Sequence, residues 1–133
     1  MLALQTYLSR LSQLRRNTQA TGELSLRPAL DELFQSLKPN GVDFVGEGKQ
    51  LAIGRPDFTF TRGVYNEPIG YVEAEKIAAD LGKLSGHAKT QNERFCANLD
   101  NFLLTNQLDF RLYDGGVLVE RATLPENKAD LSA

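Results

Sequence analysis

The 133-residue chain has one cysteine, Cys96, and one histidine, His87. A lone cysteine excludes an internal disulfide. A catalytic thiol needs a base beside it, and His87 lies nine residues away. That is about two and a half turns along one helix, too far to serve. Cys/His zinc spacing is absent, and so is the Gly-x-x-x-x-Gly-Lys-Ser/Thr loop that cradles nucleotide phosphates. No apolar run approaches the ~20 residues of a membrane span. The N-terminus lacks the basic region and long apolar segment of a signal peptide, so a cytoplasmic protein without membrane association is expected. An excess of positive charge is missing as well. The formal net charge is −2, which argues against a non-specific nucleic-acid binder and leaves local DNA contact open.

What is present reads as one folded domain. A chain of this size buries about two-thirds of its unfolded surface, enough for a core without disulfides. Leu4, Leu8, Leu11 and Leu14 mark an amphipathic helix over about residues 3–16. Leu26, Leu30, Leu33, Phe34 and Leu37 mark a second between Glu23 and Leu37. Pro28 is best placed in a first turn, so the helix proper is expected to begin near Leu26 or Arg27. Strands are expected at Val42 to Val45, weakly at Leu51 to Ile53, and at Asp57 to Thr61 and Ile69 to Glu75. A helical segment from about Ile77 is interrupted by Ser85-Gly-His. A longer helix follows over roughly Ala88 to Asp100, with Phe95 and Leu99 on one face. Strands at Phe102 to Thr105, Asp109 to Tyr113 and Val117 to Val119 complete the pattern, with Asp114-Gly-Gly as a hairpin turn. Residues 125–133 are polar and expected to fray. This order implies a mixed α/β or α+β sheet flanked by helices.

The stretch from Gly54 to Lys76 carries the chemistry. Asp57 opens one apolar strand. In the next, Glu73 and Glu75 alternate with Val72 and Ala74, so the two acids share a face. Three carboxylates on adjacent strands repel each other unless a cation sits between them. Only oxygen donors are on offer, which points to a hard ion, Mg²⁺ or Mn²⁺. Position alone also allows plainer readings. Asp57 can start a turn, the two glutamates can be the solvated face of an edge strand, and His87, Gln91 and Arg94 can be surface residues. Glu23 suits a helix N-terminus for dipole reasons alone.

Pro56-Asp57 followed by Glu73-Ala74-Glu75 resembles the PD-(D/E)xK motif of the restriction-endonuclease-like nucleases. The wider match is an ordered set: Leu26-Arg-Pro-Ala-Leu, Gly54-Arg-Pro-Asp-Phe, Gly70-Tyr-Val-Glu-Ala-Glu, Gly86-His-Ala-Lys-Thr-Gln-Asn-Glu-Arg-Phe and Asn98-Leu-Asp-Asn-Phe-Leu-Leu-Thr-Asn. It resembles the N-terminal nuclease-like region of bacterial restriction–modification polypeptides, in which an adenine-specific DNA methyltransferase domain typically follows. The resemblance implies a mixed central sheet flanked by helices, with an αβββαβ core over about residues 20–124 preceded by an extra helix. Residues 1–133 would then be one nuclease-like domain. It implies a Mg²⁺- or Mn²⁺-dependent endodeoxyribonuclease acting on double-stranded DNA within a restriction–modification system.

The resemblance also assigns roles. Asp57 and Glu73 would hold the metal, with Glu75 as a further ligand or as the group orienting the attacking water. Glu23 would bind metal through water. Gln91, in a Gln-x-x-x-aromatic pattern with Phe95, would hydrogen-bond a site carboxylate or a DNA phosphate. Lys83, His87, Lys89 and Arg94 would contact backbone phosphates. One departure stands out. The usual lysine of the motif's third position is Glu75 here, and Lys76 points to the opposite face unless a bulge re-aims it. Glu-x-Glu variants occur in this fold, and a second metal becomes more plausible with one. The departure also leaves open a catalytically inactive DNA-binding or docking module of a DNA methyltransferase. Sequence specificity would come from a homodimer partner, or from methyltransferase and specificity domains beyond residue 133, the chain then being a fragment.

Overall fold

The computed structural model describes residues 2–16, 23–46, 51–77 and 79–125, and the side chains of residues 2 and 23–26 lie outside that description. The expected break at residues 17–22, the Gly46-Glu-Gly-Lys turn past its first residue, the polar tail beyond residue 125, and the side chains of Glu23 and Leu26 therefore fall outside it.

Two helices open the chain, α1 (Leu2–Arg16) and α2 (Glu23–Leu37). Three strands follow, β1 (Val42–Gly46), β2 (Phe58–Arg62) and β3 (Glu67–Ala74). Helix α3 (Gly86–Asn98) then leads to β4 (Phe102–Thr105), β5 (Asp109–Asp114) and β6 (Val117–Thr123). The strands form one sheet in sequence order. Each neighbouring pair is antiparallel except β3 and β4, which run parallel. A parallel neighbour demands a long crossover, and the segment containing α3 supplies it. This is the mixed α+β architecture expected, consistent with the restriction-endonuclease-like fold.

Alternation along the strands splits the core in two. On one face Tyr7, Leu8 and Leu11 of α1 and Ala29, Leu30 and Leu33 of α2 pack against Phe44, Phe58, Val72 and Ala74. On the other, Phe95 and Leu99 meet Phe102, Leu104 and Leu81. The leucine stripe of α1 is thus part of the same core as α2. Phe44 stacks on Phe58 with centroids 4.7 Å apart and planes at 16°. Burying Phe58 contributes about 2 kcal/mol and pins the first residue of β2, next to Asp57.

Several expectations are corrected. Helix α2 begins at Glu23, upstream of Pro28, not near Leu26 or Arg27. Pro28 removes one intrahelical hydrogen bond, but its ring is exposed while Ala29, Leu30 and Leu33 are buried, so packing holds the helix through it. Leu51 to Ile53 is not a strand but part of a tight turn, closed by reciprocal backbone bonds between Leu51 and Gly54 of 2.9 and 3.1 Å. Gly54 sits at φ +132°, and a Cβ there would meet the Phe95 ring at 3.3 Å, so only glycine fits. No helix starts at Ile77. The described residues to Leu84 form consecutive turns (Ala79 N to Lys76 O, Lys83 N to Asp80 O), and the Asp80 carboxylate takes the Gly82 N–H at 2.9 Å. A side chain that captures nearby amides competes with helix formation. Ser85-Gly-His is the start of α3, with Ser85 at its N-cap. No helix among the described residues is long and apolar enough to cross a membrane.

Candidate metal centre

Asp57 immediately precedes β2, and Glu73 is the penultimate residue of β3. The register pairs Phe58 with Val72, which sets Asp57 across from Glu73. The backbone locks this arrangement. The Asp57 N–H donates to Glu73 Oε1 at 3.2 Å, and the Ala74 N–H donates to Asp57 Oδ2 at 2.8 Å. The remaining oxygen, Asp57 Oδ1, accepts from Arg27 Nη2, which reaches it from α2. A bulge does occur between β2 and β3. It lies where Phe60 pairs with Gly70 and Thr61 with Pro68, so Ile69 is the extra residue. It is upstream of the acids and does not turn Lys76 onto their face.

Two carboxylates this close and this shielded cannot both be charged cheaply. Glu73 is only 6% exposed. Burial first, then the neighbouring Asp57 charge, pushes its carboxyl up to about 9, against the pull of the Asp57 N–H. Burial also raises Asp57, opposed by the Ala74 N–H and the Arg27 charge. Asp57 is thus the partner of Arg27, and Glu73 is the member of the pair that gives up its proton with more difficulty.

Glu75 lies just past the end of β3 and is half-buried. Its backbone N–H donates to the Thr105 carbonyl at 2.7 Å, and its own carbonyl accepts weakly from Gln107 Nε2 at 3.4 Å. Its carboxylate accepts from Asn92 Nδ2 of α3 at 3.0 Å. Burial raises its pKa, the Asn92 bond lowers it, the Asp57 charge raises it, and His87 lowers it. Gln107 is buried, with φ at +77°, a conformation a bulky residue keeps only when its surroundings hold it. The Tyr7 hydroxyl donates to the Gln107 carbonyl, and the Gln107 N–H donates to Thr105 Oγ1 at 2.8 Å. Helix α1 thus braces the loop that supports Glu75 from behind.

The residues expected at the site are placed as follows. Asp57 and Glu73 are in contact, and Glu75 is within electrostatic reach of both. Gln91 is half-buried beside Gly54, and the amide that meets a site carboxylate is that of its neighbour Asn92. Lys83 is exposed and lines an open groove with Glu75, Lys76 and Ser85. His87 is exposed at the start of α3, close enough to Glu75 to stabilise its charge. Lys89 pairs loosely with Glu93 at 4.0 Å and lines a different groove, beside Cys96. Arg94 Nη1 donates to the Ile53 carbonyl at 3.3 Å. Cys96 is partly exposed, and burial raises its thiol pKa, so it is not poised as a nucleophile.

Sequence reasoning missed Arg27 and Asn92. Arg27 is the fifth residue of α2 and one of several arginines off an apolar stripe. Only the fold brings it to a residue thirty positions away. Asn92 had a readable signal. It sits one turn before Phe95 and Cys96, on the inward face of α3, where a polar residue needs a partner.

The donor set suits a hard divalent cation: carboxylate oxygens only, two of them on facing residues. Two shielded carboxyls in contact repel each other, and a positive charge between them would relieve that repulsion. Among the described residues, no three Asp, Glu, His or Cys side chains stand at the mutual spacing of a complete ligand set. Asp57 and Glu73 would be the holders, with Glu75 beside them on its bond from Asn92.

No family model matches the sequence, and no curated protein matches it. Among solved structures, one chain of a DrdV–DNA complex determined by cryo-electron microscopy superposes with a TM-score of 0.76 at 20% identity, over 92% of this chain and 85% of that one. The chain shares its fold with that component of a DNA-bound assembly.

Proposed function

We propose that this chain is a divalent-metal-dependent DNA endonuclease domain that hydrolyses phosphodiester bonds in double-stranded DNA as part of a restriction–modification system. The observation that carries the reading is the contact between Asp57 and Glu73 at the ends of neighbouring strands. It is supported by a fold shared with a chain solved in complex with DNA. One or two bound Mg²⁺ or Mn²⁺ ions would supply phosphate neutralisation and a nucleophilic water. The chain's own residues do the rest. Asp57 and Glu73 bind the cation, and Glu75, held by Asn92, orients water. Gln91 is kept as a candidate for a phosphate contact, and Glu23 for a water-mediated ligand. Lys83 and His87, both exposed, would contact backbone phosphates, and Lys89 and Arg94, which engage partners of their own, are kept as further candidates for such contacts. Pairing of two copies about a two-fold axis would cut both strands. A methyltransferase domain in the same polypeptide would complete the system.

Incubation of the purified protein with duplex DNA and Mg²⁺ or Mn²⁺ tests this. Cleavage should depend on the ion and fall by at least about 100-fold in Asp57→Asn, the scale of a lost electrostatic stabiliser. Cleavage that persists in this variant contradicts the reading.

The engagement of Asp57 by Arg27 and of Glu75 by Asn92 supports a second reading, a nuclease-fold module that binds or docks on DNA without cutting it. Salt-dependent duplex binding with no cleavage in Mn²⁺ would select that alternative.

A further inference from the structure

Each oxygen of Asp57 already accepts a hydrogen bond. Oδ2 holds the Ala74 N–H at 2.8 Å, and Oδ1 holds the Arg27 guanidinium. The two side chains of the ion pair are 15% and 12% exposed, so water screens the pair weakly. Each oxygen keeps a second lone pair, but a cation that comes onto Asp57 meets the like charge of the guanidinium at close range in a weakly screened pocket, and Arg27 is driven away from it. The Ala74 N–H belongs to the backbone of β3 and cannot leave without breaking the strand. Arg27 is a long side chain on α2 and can withdraw without breaking the helix, at the cost of its ion pair with Asp57 and its other contacts. Arginine keeps its charge at any ordinary pH, so it cannot yield by losing a proton.

We propose that Arg27 is a built-in counter-ion of the acid site, seated on Asp57 in the metal-free protein and displaced when a divalent cation binds. Arg27 is a positioning residue in this account: it acts through Asp57 and sets the cation affinity of the site. The inference rests on the metal-binding reading above and adds a sign that the reading lacks. A residue that merely supports the fold would weaken cation binding when removed. A displaced competitor strengthens it.

Calorimetric titration of Mn²⁺ into DNA-free protein reads that sign, alongside melting curves with and without the ion. Arg27→Met keeps the apolar stem and removes the charge. It should melt lower than wild type without metal, yet bind Mn²⁺ about tenfold or more tightly, because a like charge has left the site. Arg27→Gln, which keeps a donor for Asp57, should also bind more tightly than wild type and serves if the methionine variant does not fold. Unchanged or weaker Mn²⁺ binding in the folded variants, with wild type binding normally, overturns the counter-ion role and leaves the metal site standing. Failure of wild type and both variants to bind Mn²⁺ overturns the metal site and this inference with it.

Discussion

Asp57 and Glu73 are joined through the main chain as well as by their side chains. The amide of one donates to the carboxyl of the other at 3.2 Å, and the residue after Glu73 donates back to Asp57 at 2.8 Å. Neither carboxyl can turn away without loss of a strand-end hydrogen bond. The sheet therefore holds two acids face to face at a cost in electrostatic energy, which has the character of a prepared binding site.

The first prediction concerns pH. An ordinary glutamate in the unfolded chain titrates near 4.5, and Glu73 in the fold near 9. Below 4.5 both states hold the proton and the penalty is absent. Between the two values the folded state holds a proton that the unfolded state has lost, so stability falls as pH rises. The slope approaches about 1.4 kcal/mol per pH unit for one proton. Above 9 the penalty is constant. Metal-free melting temperatures should thus decline from pH 5 to pH 9, and Glu73→Gln should flatten the decline. An unchanged decline in that variant would show that another group is responsible.

Metal binding should release the proton held on Glu73, since a coordinating carboxylate must be ionised. At pH 7 the apparent Mn²⁺ affinity should increase with pH. Titrations in two buffers of different ionisation enthalpy should report about one proton released. A buffer-independent heat would count against Glu73 as a ligand.

Asn92 is predicted to matter through Glu75. It is buried, and its amide bridges Glu75 Oε1 and the Ala88 carbonyl at 3.0 and 2.9 Å. Asn92→Asp keeps the shape but sets a carboxylate against a carboxylate, and should cost about 2 kcal/mol of stability, the price of an unmatched buried polar group. Asn92→Leu should fold more readily and lower cleavage with little change in Mn²⁺ affinity. Wild-type cleavage in a folded Asn92→Leu protein would separate Glu75 from the chemistry.

Tyr7 tests the bracing of the site by α1. Its hydroxyl donates to the buried Gln107 carbonyl, and burial raises its pKa. Tyr7→Phe should destabilise the fold by about 1–2 kcal/mol, the range for a lost buried hydrogen bond, read by urea unfolding. No loss would mean that Gln107 holds its left-handed conformation without help from the helix.

The sheet, the crossover helix and the facing of Asp57 and Glu73 were legible because each rests on local signals: alternation in β3, helical spacing of Phe95 and Leu99, and turns rich in glycine and asparagine. Boundaries failed where tertiary contact overrides local preference. Helix α2 runs through Pro28 because its downstream face is buried, and the segment after Ile77 turns instead of coiling because Asp80 captures a backbone amide. The arginine on Asp57 was illegible for a different reason. It arises from long-range packing of α2 against the sheet, and nothing in its neighbours distinguishes Arg27 from the exposed Arg15 and Arg16 at the end of α1.

The most direct measurement is the anomalous difference density of crystals soaked in Mn²⁺. The account predicts a peak between the carboxylates of Asp57 and Glu73, with the Arg27 guanidinium moved off Asp57. Well-ordered crystals with no peak there, and with Arg27 still seated on Asp57 at saturating Mn²⁺, would contradict it.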